Sequence, residues 1–444
     1  MTTYRVERRA DPRSATAALL SFLFPGLGQA YNGHWALAGL LALPVLLIVA
    51  LAALLVLRDG SAVVSRFLDT RLLIGLIVLD VALLGWRLVA ILQAHGVRSG
   101  LALRAWPAWI TYVLVVMTLA MHGVPAYYAA KAIDTLDTVA LEGGGELFDD
   151  REGRDITITA PTNEPEVSRG ERLTVLLIGI DYAPGRVTNL TDTMLVATLD
   201  PETGEGAMVS VPRDLYGVPL PDGRTYDAKL NSLMAVSNGR PEEYPMGGPG
   251  ALKGAIGELL GTEIHYFAAI DLDGMRQMIE ALGGIEITVE RAINDPQYQD
   301  PWTLRQGFSI GVGTHFMDGD TALAYVRSRM GEGDNDFTRA DRQQQVLTAI
   351  AAKLTAGNLL YTLPGLLDAV RDNMATDVPS ARIPSLAAVA QEANLGNLER
   401  VVLEPPEYVT PEPFSAAGYI LHPNLEAIRE LGRRIFTTQT AATP

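Results

Sequence analysis

The sequence predicts an α/β domain, with a central and mostly buried sheet flanked by helices, preceded by an α-helical transmembrane region. Three observations carry that reading. Residues 1–130 combine long apolar stretches with ten arginines, no lysine and five acids, a net of about +5. Residues 131–444 carry 25 Lys and Arg against 46 Asp and Glu, about −21. From Leu173 onward, short apolar runs alternate with segments of helical periodicity, the pattern of strands interleaved with helices. The 444 residues therefore divide into a membrane segment (1–130), a linker (131–171) and a soluble acidic domain (172–440). That acidity argues against nucleic-acid binding. With no cysteine, a disulfide framework, a thiolate zinc site and a cysteine nucleophile are all excluded.

In chain order, residues 15–31 are apolar but interrupted by Pro25-Gly26, which reads as a short or re-entrant segment. Residues 36–57, 72–93 and 109–130 are each long enough to cross the hydrocarbon core. A cleaved signal peptide is not expected, because three spans follow. Asp80 and Arg87 lie seven apart on one face of the second long stretch and read as a compensating pair, Arg87 snorkelling outward. The linker is polar and acidic, with one strand near 156–159. LTVLLIGI (173–180) is a continuous apolar run, as for a strand covered on both faces. MLVATL and AMVSV follow as strands across the turn DPETGEG. Helices are expected over 228–236, 251–260, 274–282, 318–326 and 337–354, and strands at FAAI and IEITV. GGPG at 247–250 reads as a plain turn before a helix.

The chemistry concentrates at strand ends, common ligand positions in α/β sheets. Asp181 closes the first strand, Asp192 precedes the second, and Arg213 follows the third. Two such carboxylates suit a hard divalent cation that keeps water or phosphate oxygens. Each also has a plain reading, as turn-former or helix cap, and Arg213 as surface partner of Asp214. Arg327 and Arg329 share a side if the chain is extended there, and Arg339 and Gln343 share a helix face, with Arg342 close by. Arginine rather than lysine favours bidentate contacts to phosphate over a merely solvated face. The six histidines form no HExxH and no nucleophilic triad spacing, and no P-loop or dinucleotide fingerprint is present.

The segments LLIGID, TDTMLVATLDPETGEGAMVSVPRDLYGVPL, DAKLNSLMAVSNG, YFAAIDLDGMRQMIEALGGIEITV, DGDTALAYVRSR and FTRADRQQQVL, in that order, resemble the LytR-CpsA-Psr (LCP) family of bacterial envelope enzymes. LFPGLGQAYNGHWALAG resembles the TM2-type hairpin of bacterial membrane proteins. The first resemblance implies transfer of a glycopolymer, such as a teichoic acid, from a polyprenyl-pyrophosphate carrier to peptidoglycan with formation of a phosphodiester. A pyrophosphatase, or a regulatory protein that only binds the lipid pyrophosphate, is the alternative. The resemblance places the metal acids at Asp181 and Asp192, for magnesium or manganese, and the arginine after the third strand at Arg213. It places pyrophosphate contacts at Arg327, Arg329, Arg339, Gln343 and Lys229, with Asn231 in the same element, and a further loop acid at Asp336. Arg213, Asp192 and Asp336 are thus the catalytic candidates. Leu190 stands where the family usually has arginine, and Arg186 is the candidate substitute. The lipid tail implies an apolar pocket, with walls expected from residues 230–236, 252–260, 275–282 and 346–354. The substrate and acceptor imply a multi-pass protein of the bacterial cell membrane with its catalytic domain outside.

Overall fold

The computed structural model describes residues 11–59, 66, 68–99, 106–140, 145–147, 156–158, 172–181, 190–300, 305–329, 333–354, 356–392 and 398–436. The chain forms two compact units, Met1–Asp134 and Thr135–Pro444.

The first unit begins with a short helical hairpin, α1 (Arg13–Leu23) and α2 (Leu27–Tyr31), and continues through α3 (Trp35–Asp59), α4 (Thr70–Ser99) and α5 (Trp106–Val139). Trp35–Arg58, Thr70–Val97 and Ala108–Val139 are long and apolar enough to cross a membrane. At 11 and 5 residues, α1 and α2 are not. Gly26 turns the hairpin at φ 103°, a conformation that costs glycine little. A Cβ on Gly28 would sit 2.1 Å from the Ala17 carbonyl oxygen, so α1 and α2 touch through backbone. The amides of the hairpin are satisfied within the unit, as an apolar solvent requires. Gln29 donates to Ala90 O (2.8 Å) and to Gln93 Oε1 (2.9 Å), and Asn32 donates to Ala94 O (2.8 Å).

The expected Asp80–Arg87 pair does not form. Seven residues of helix rise about 10 Å, too far for direct contact, so each charge finds a partner on a neighbouring helix. Asp80 Oδ1 lies 2.7 Å from His122 Nδ1. Arg87 donates to Phe22 O (3.3 Å), one of the terminal carbonyls of α1 that lack helical partners.

The second unit opens with a small antiparallel pair, β1 (Gly145–Leu147) and β2 (Ile156–Ile158), which adds a strand to the one expected in the linker. Next come β3 (Leu173–Ile180), β4 (Thr191–Leu199), β5 (Gly206–Ser210), β6 (Tyr216–Pro219) and β7 (Thr225–Lys229). After these come α6 (Leu233–Asn238), α7 (Gly247–Leu260), β8 (Tyr266–Asp271), α8 (Leu272–Ala281), β9 (Ile285–Val289), β10 (Ile293–Gln299), β11 (Gln306–Ile310) and β12 (Gly313–Met317). The chain ends with α9 (Gly319–Arg327), α10 (Asp336–Lys353), α11 (Ala356–Asn373), β13 (Met374–Thr376), α12 (Ile383–Glu392), β14 (Glu399–Val402), β15 (Val409–Ser415), β16 (Gly418–Pro423) and α13 (Leu425–Phe436).

The central sheet has six strands in the order β13-β8-β3-β4-β5-β14. It is mixed: β3 is parallel to β8 and antiparallel to β4, and β5 is parallel to β14. IEITV is a strand as expected, but as β9 it pairs with β12 outside this sheet. One face of β3 (Thr174, Leu176, Ile178, Ile180) is fully buried, while alternate residues are half-buried. Its second face is therefore covered only in part, not to the depth that the unbroken apolar run suggests. The buried face packs with Leu233, Leu252, Ile256, Leu259 and Leu431 into one core, and a second core gathers Ile279, Ile285, Ile287, Tyr325, Val346 and Ile350.

Two local expectations fail for identifiable reasons. Ala228 and Lys229 belong to a strand, because Lys229 pairs with Tyr216, and the helical run starts at Leu230 as a 3-10 turn that becomes α-helix at Leu233. GGPG forms the first turn of α7, where Pro249 loses no intrahelical hydrogen bond.

Asp271 joins β8 to α8 as a helix cap, accepting from Gly274 N (2.7 Å) while 5% exposed. Burial pushes its carboxyl up to about 7, against the pull of that hydrogen bond. Raised in the folded state, the group contributes stability fully present below the unfolded value near 4, lost as pH rises toward 7. Asparagine would cap equally and cannot ionise. Asp271→Asn is expected to match wild type in urea unfolding at pH 4 and to exceed it by about 2–4 kcal/mol at pH 8. An equal effect at both pH values would contradict this origin.

Candidate active site

Three strand termini meet at one end of the central sheet. β3 ends at Ile180 and Asp181 follows, antiparallel β4 starts at Thr191, and β5 ends three residues before Arg213. Asp181 N donates to Leu190 O (3.1 Å), tying the two acid-bearing segments together. Gly179 pairs with Thr193 and Ile180 with Thr191, so Asp192 is the extra residue of a β-bulge. A bulge re-aims a side chain out of the ladder. Here it turns Asp192 toward arginines from elsewhere in the fold.

Arg213 Nη1 lies 2.6 Å from Asp192 Oδ1, and Arg329 Nη2 lies 3.1 Å from Asp192 Oδ2. Arg327, the last residue of α9, reaches Asp181 at 3.6 Å. Asp192 thus serves two arginines, Arg213 and Arg329, while Asp181 serves Arg327. Helix α10 supplies Asp336, Arg339 and Gln343 along one face, behind an Asn335–Thr338 capping box. Its N-terminal dipole adds positive potential at the same place. Asp336 Oδ1 lies 2.5 Å from Arg339 Nη1 and 3.9 Å from Arg213 Nη2.

Asp192, Arg213, Arg329, Asp336, Arg339 and Gln343 line one cavity of about 420 Å3. Met194, Val211, Phe337, Ala340, Val402 and Leu421 form its apolar side. None of the helical segments expected as apolar walls lines this cavity. Leu230, Leu233, Leu252, Ile256 and Leu259 are instead completely buried in the packed core. Asp181, Arg327 and Lys229 also stand outside the lining. Lys229 Nζ donates to Asp214 Oδ1 (2.8 Å), and Asp214 lies 3.6 Å from Arg213 Nε. Asn231 acts through its backbone, its amide donating to Arg213 O (3.1 Å) and its carbonyl accepting from Thr191 Oγ1 (3.2 Å). Arg186 lies outside the described residues.

Two residues that hold the site had no assigned part in the sequence reading. Arg342, buried, donates to Tyr325 O, Ser328 O (both 2.9 Å) and Asp334 Oδ2 (3.2 Å). Its spacing with Val346 and Ile350 on the inner stripe of α10 was the available signal. Asp295, 2% exposed, accepts from Ser328 Oγ (2.8 Å) and Arg329 N (3.1 Å). No pattern in the sequence marks it, since its partners lie more than thirty residues away. Together these two fix the Arg327–Arg329 segment.

Two of the cations, Arg339 and Arg329, are poorly compensated. Burial, then repulsion from Arg213 and Arg329, outweighs Asp336 and holds Arg339 down to about 10. Arg329 is lowered by burial and by Arg213 and Arg327. Arg213 is opposite: burial lowers it, but Asp192, Asp336 and Asp214 jointly outweigh that and raise it. Among the described residues, Arg213 Nε, Arg327 Nη1 and Arg339 Nη1 are buried without a hydrogen-bond acceptor. The Arg339–Asp336 contact is close in distance but off the line of a hydrogen bond. Planar guanidinia with unmet donors have the geometry that pairs with phosphate or carboxylate oxygens.

For a metal, the described residues contain no group of three or more His, Cys, Asp or Glu placed to bind one. Asp181 and Asp192 offer hard carboxylate oxygens, the donor type magnesium takes one or two at a time while water and substrate phosphate complete its shell. They do not fit an ion held by protein ligands alone.

Residues 149–407 match the model of the LytR_cpsA_psr family. A polyisoprenyl-teichoic acid–peptidoglycan teichoic acid transferase, TagU, of Enterococcus faecalis is 29% identical over 49% of this chain and 65% of its own length. Biofilm regulatory protein A of Streptococcus mutans is 30% identical over 48% of this chain and 52% of its own. The chain thus spans between half and two thirds of the length of these two relatives. TagU of Oceanobacillus iheyensis is 25% identical over 64% of this chain and 80% of its own length. Among solved structures, Bacillus subtilis TagV aligns at 23% identity and a TM-score of 0.46, covering 61% of this chain and 98% of its own.

The contrast between Arg339 and Arg342 is testable. Arg342→Ala leaves two carbonyls and Asp334 short of their donor and is expected to cost about 3 kcal/mol in denaturant unfolding. Arg339→Met removes an under-compensated buried charge and is expected to stay within about 1 kcal/mol of wild type or to stabilise. Equal losses would show that Arg339 is structural.

Proposed function

The chain belongs to the LytR-CpsA-Psr family, and from that premise we propose that it is a phosphotransferase moving a glycopolymer from a polyprenyl-pyrophosphate carrier to peptidoglycan. The observation that carries this is the set of buried, acceptor-less guanidinium N–H groups of Arg213, Arg327 and Arg339 at one sheet end. Sites of this composition stabilise negative charge that has no other partner. The TagU relatives, named as teichoic acid transferases, supply the substrate class.

In this mechanism an acceptor hydroxyl attacks the phosphorus that carries the glycopolymer. The new P–O bond forms the phosphodiester, the bond to the bridging oxygen breaks, and polyprenyl phosphate leaves with that electron pair. Arg213, Arg329 and Arg339 stabilise the charge gathering on the phosphoryl oxygens and the leaving phosphate, with Arg327 supporting from beside Asp181. Asp192 holds Arg213 and Arg329 in register until phosphate oxygens compete for them. Asp336, with a side chain 35% exposed, is the carboxylate placed to take the acceptor's proton. Magnesium, held by Asp181 and Asp192, would neutralise the diphosphate and polarise it toward attack. A cavity of about 420 Å3 suits one compact ligand, the diphosphate and its nearest groups.

The same reading sets the topology. The α1–α2 hairpin stays on the cytoplasmic side with Arg5, Arg8, Arg9 and Arg13, and α3, α4 and α5 cross. Three crossings leave residues 140–444 outside, where peptidoglycan is, at the cost of placing Arg58, Arg66 and Arg71 outside as well.

Purified full-length protein with a polyprenyl-pyrophosphoryl sugar, magnesium and peptidoglycan fragments is expected to give phosphodiester-linked product. Phosphate release without acceptor would indicate hydrolysis instead, and no turnover would indicate binding alone. Arg213→Ala and Arg327→Ala are each expected to lower transfer by about 10²–10³-fold; wild-type rates would remove these residues from the mechanism. An alkaline-phosphatase fusion after residue 170 is expected to be active and one at residue 14 inactive.

A further inference from the structure

One wall of the cavity is the β15–β16 hairpin. Leu421 N donates to Asp214 O (2.9 Å), which pins the hairpin to the residue beside Arg213. Ile420 and Leu421 are buried at 3% and 2%. Tyr419, two positions outward from Leu421 and on its side of the strand, lines the cavity while 39% exposed. Its ring therefore stands at the mouth, between the buried charges and solvent. Asp214 and Asp336 line the same cavity, and burial raises the phenol with their charges adding to it. Among the described residues that hydroxyl makes no hydrogen bond. On the facing strand, Pro411 and Pro413 stiffen the hairpin, which presets the ring's position.

These surroundings select among the parts of the substrate. Phosphate is drawn to the guanidinia and gains nothing from a phenol in a lining that also carries Asp214 and Asp336. An isoprene chain gains more from the apolar side formed by Met194, Val211 and Val402. A pyranose matches what is left: its C–H face stacks on an aromatic ring, and its hydroxyls donate to carboxylate and phenol oxygens. Resting on the function proposed above, we infer that Tyr419 is the stacking platform for the sugar ring next to the diphosphate. That ring belongs either to the donor, attached to the transferred phosphate, or to the acceptor glycan.

Full-length protein in detergent with magnesium would be titrated calorimetrically with farnesyl pyrophosphate and with farnesyl-pyrophosphoryl-N-acetylglucosamine. The KM for a peptidoglycan-derived oligosaccharide would be measured alongside. If the ring is the donor's, Tyr419→Ala weakens the sugar-bearing probe about three- to tenfold and leaves the sugar-free probe unchanged. If it is the acceptor's, both probes bind as in wild type and the oligosaccharide KM rises by that factor. Tyr419→Phe, which keeps the ring, retains most of the wild-type binding. Phe414→Ala, on the same hairpin but 97% exposed and outside the cavity lining, behaves as wild type and controls for hairpin integrity. The inference is overturned if Tyr419→Ala leaves both sugar readouts unchanged, or weakens the two probes equally. It is also overturned if Phe414→Ala reproduces the loss. Should wild type bind neither probe, the proposed function falls first and this inference with it.

Discussion

Burial of several guanidinium charges at one end of the sheet is the constraint on which the rest of the second unit depends. Cations removed from water are costly unless compensated. Asp192 compensates Arg213 and Arg329, and Asp336 adds to Arg213 and reaches Arg339, yet buried N–H donors on three arginines remain unmet. The fold can hold this arrangement because its supports are over-determined. A β-bulge aims Asp192, the Arg342 guanidinium and the Asp295 carboxylate clamp the Arg327–Arg329 segment, and a capped helix presents Arg339 and Gln343. The apolar side of the site is itself part of the larger core, through Met194, Val211 and Leu421, while the second core contains none of the cavity lining.

Much of this was legible in the sequence because it is local. Strand-end acids, an arginine after a strand, and side chains four apart on a helix are short-range patterns, and their residues do converge on one cavity or its immediate surroundings. What the sequence hid was long-range. Asp295 holds Arg329 from 34 positions away, and Asp80 reaches His122 across 42. The apolar walls were misplaced for a related reason. Helical stripes such as Leu252–Leu259 show that a face is buried but not whether it meets a cavity or a packed neighbour. The lining residues Met194 and Val211 sit on or just beyond strands, where alternation conceals which side opens. Lys229 was drawn into a helix by its neighbours, whereas cross-strand pairing with Tyr216 placed it in a strand.

The membrane unit obeys the same rule of polar satisfaction in a harsher solvent. A broken helix is tolerable there only if its freed backbone groups and amides find partners. Gln29, Asn32 and Arg87 supply those partners by reaching carbonyls on α4 and α1. Gly28 allows the approach that makes such reach possible. Satisfied in this way, the hairpin needs no crossing of its own, which is what lets an odd number of long helices carry the catalytic unit to the far side in the proposed topology.

The central claim is that the under-compensated arginines are a diphosphate site. A crystal structure with farnesyl pyrophosphate and magnesium tests it most directly. The account predicts both phosphates in the cavity, accepting from Arg213, Arg329 and Arg339, with Asp192 released from at least one of its two arginine contacts. Diphosphate bound elsewhere, or bound with both Asp192–arginine pairs intact, would contradict it.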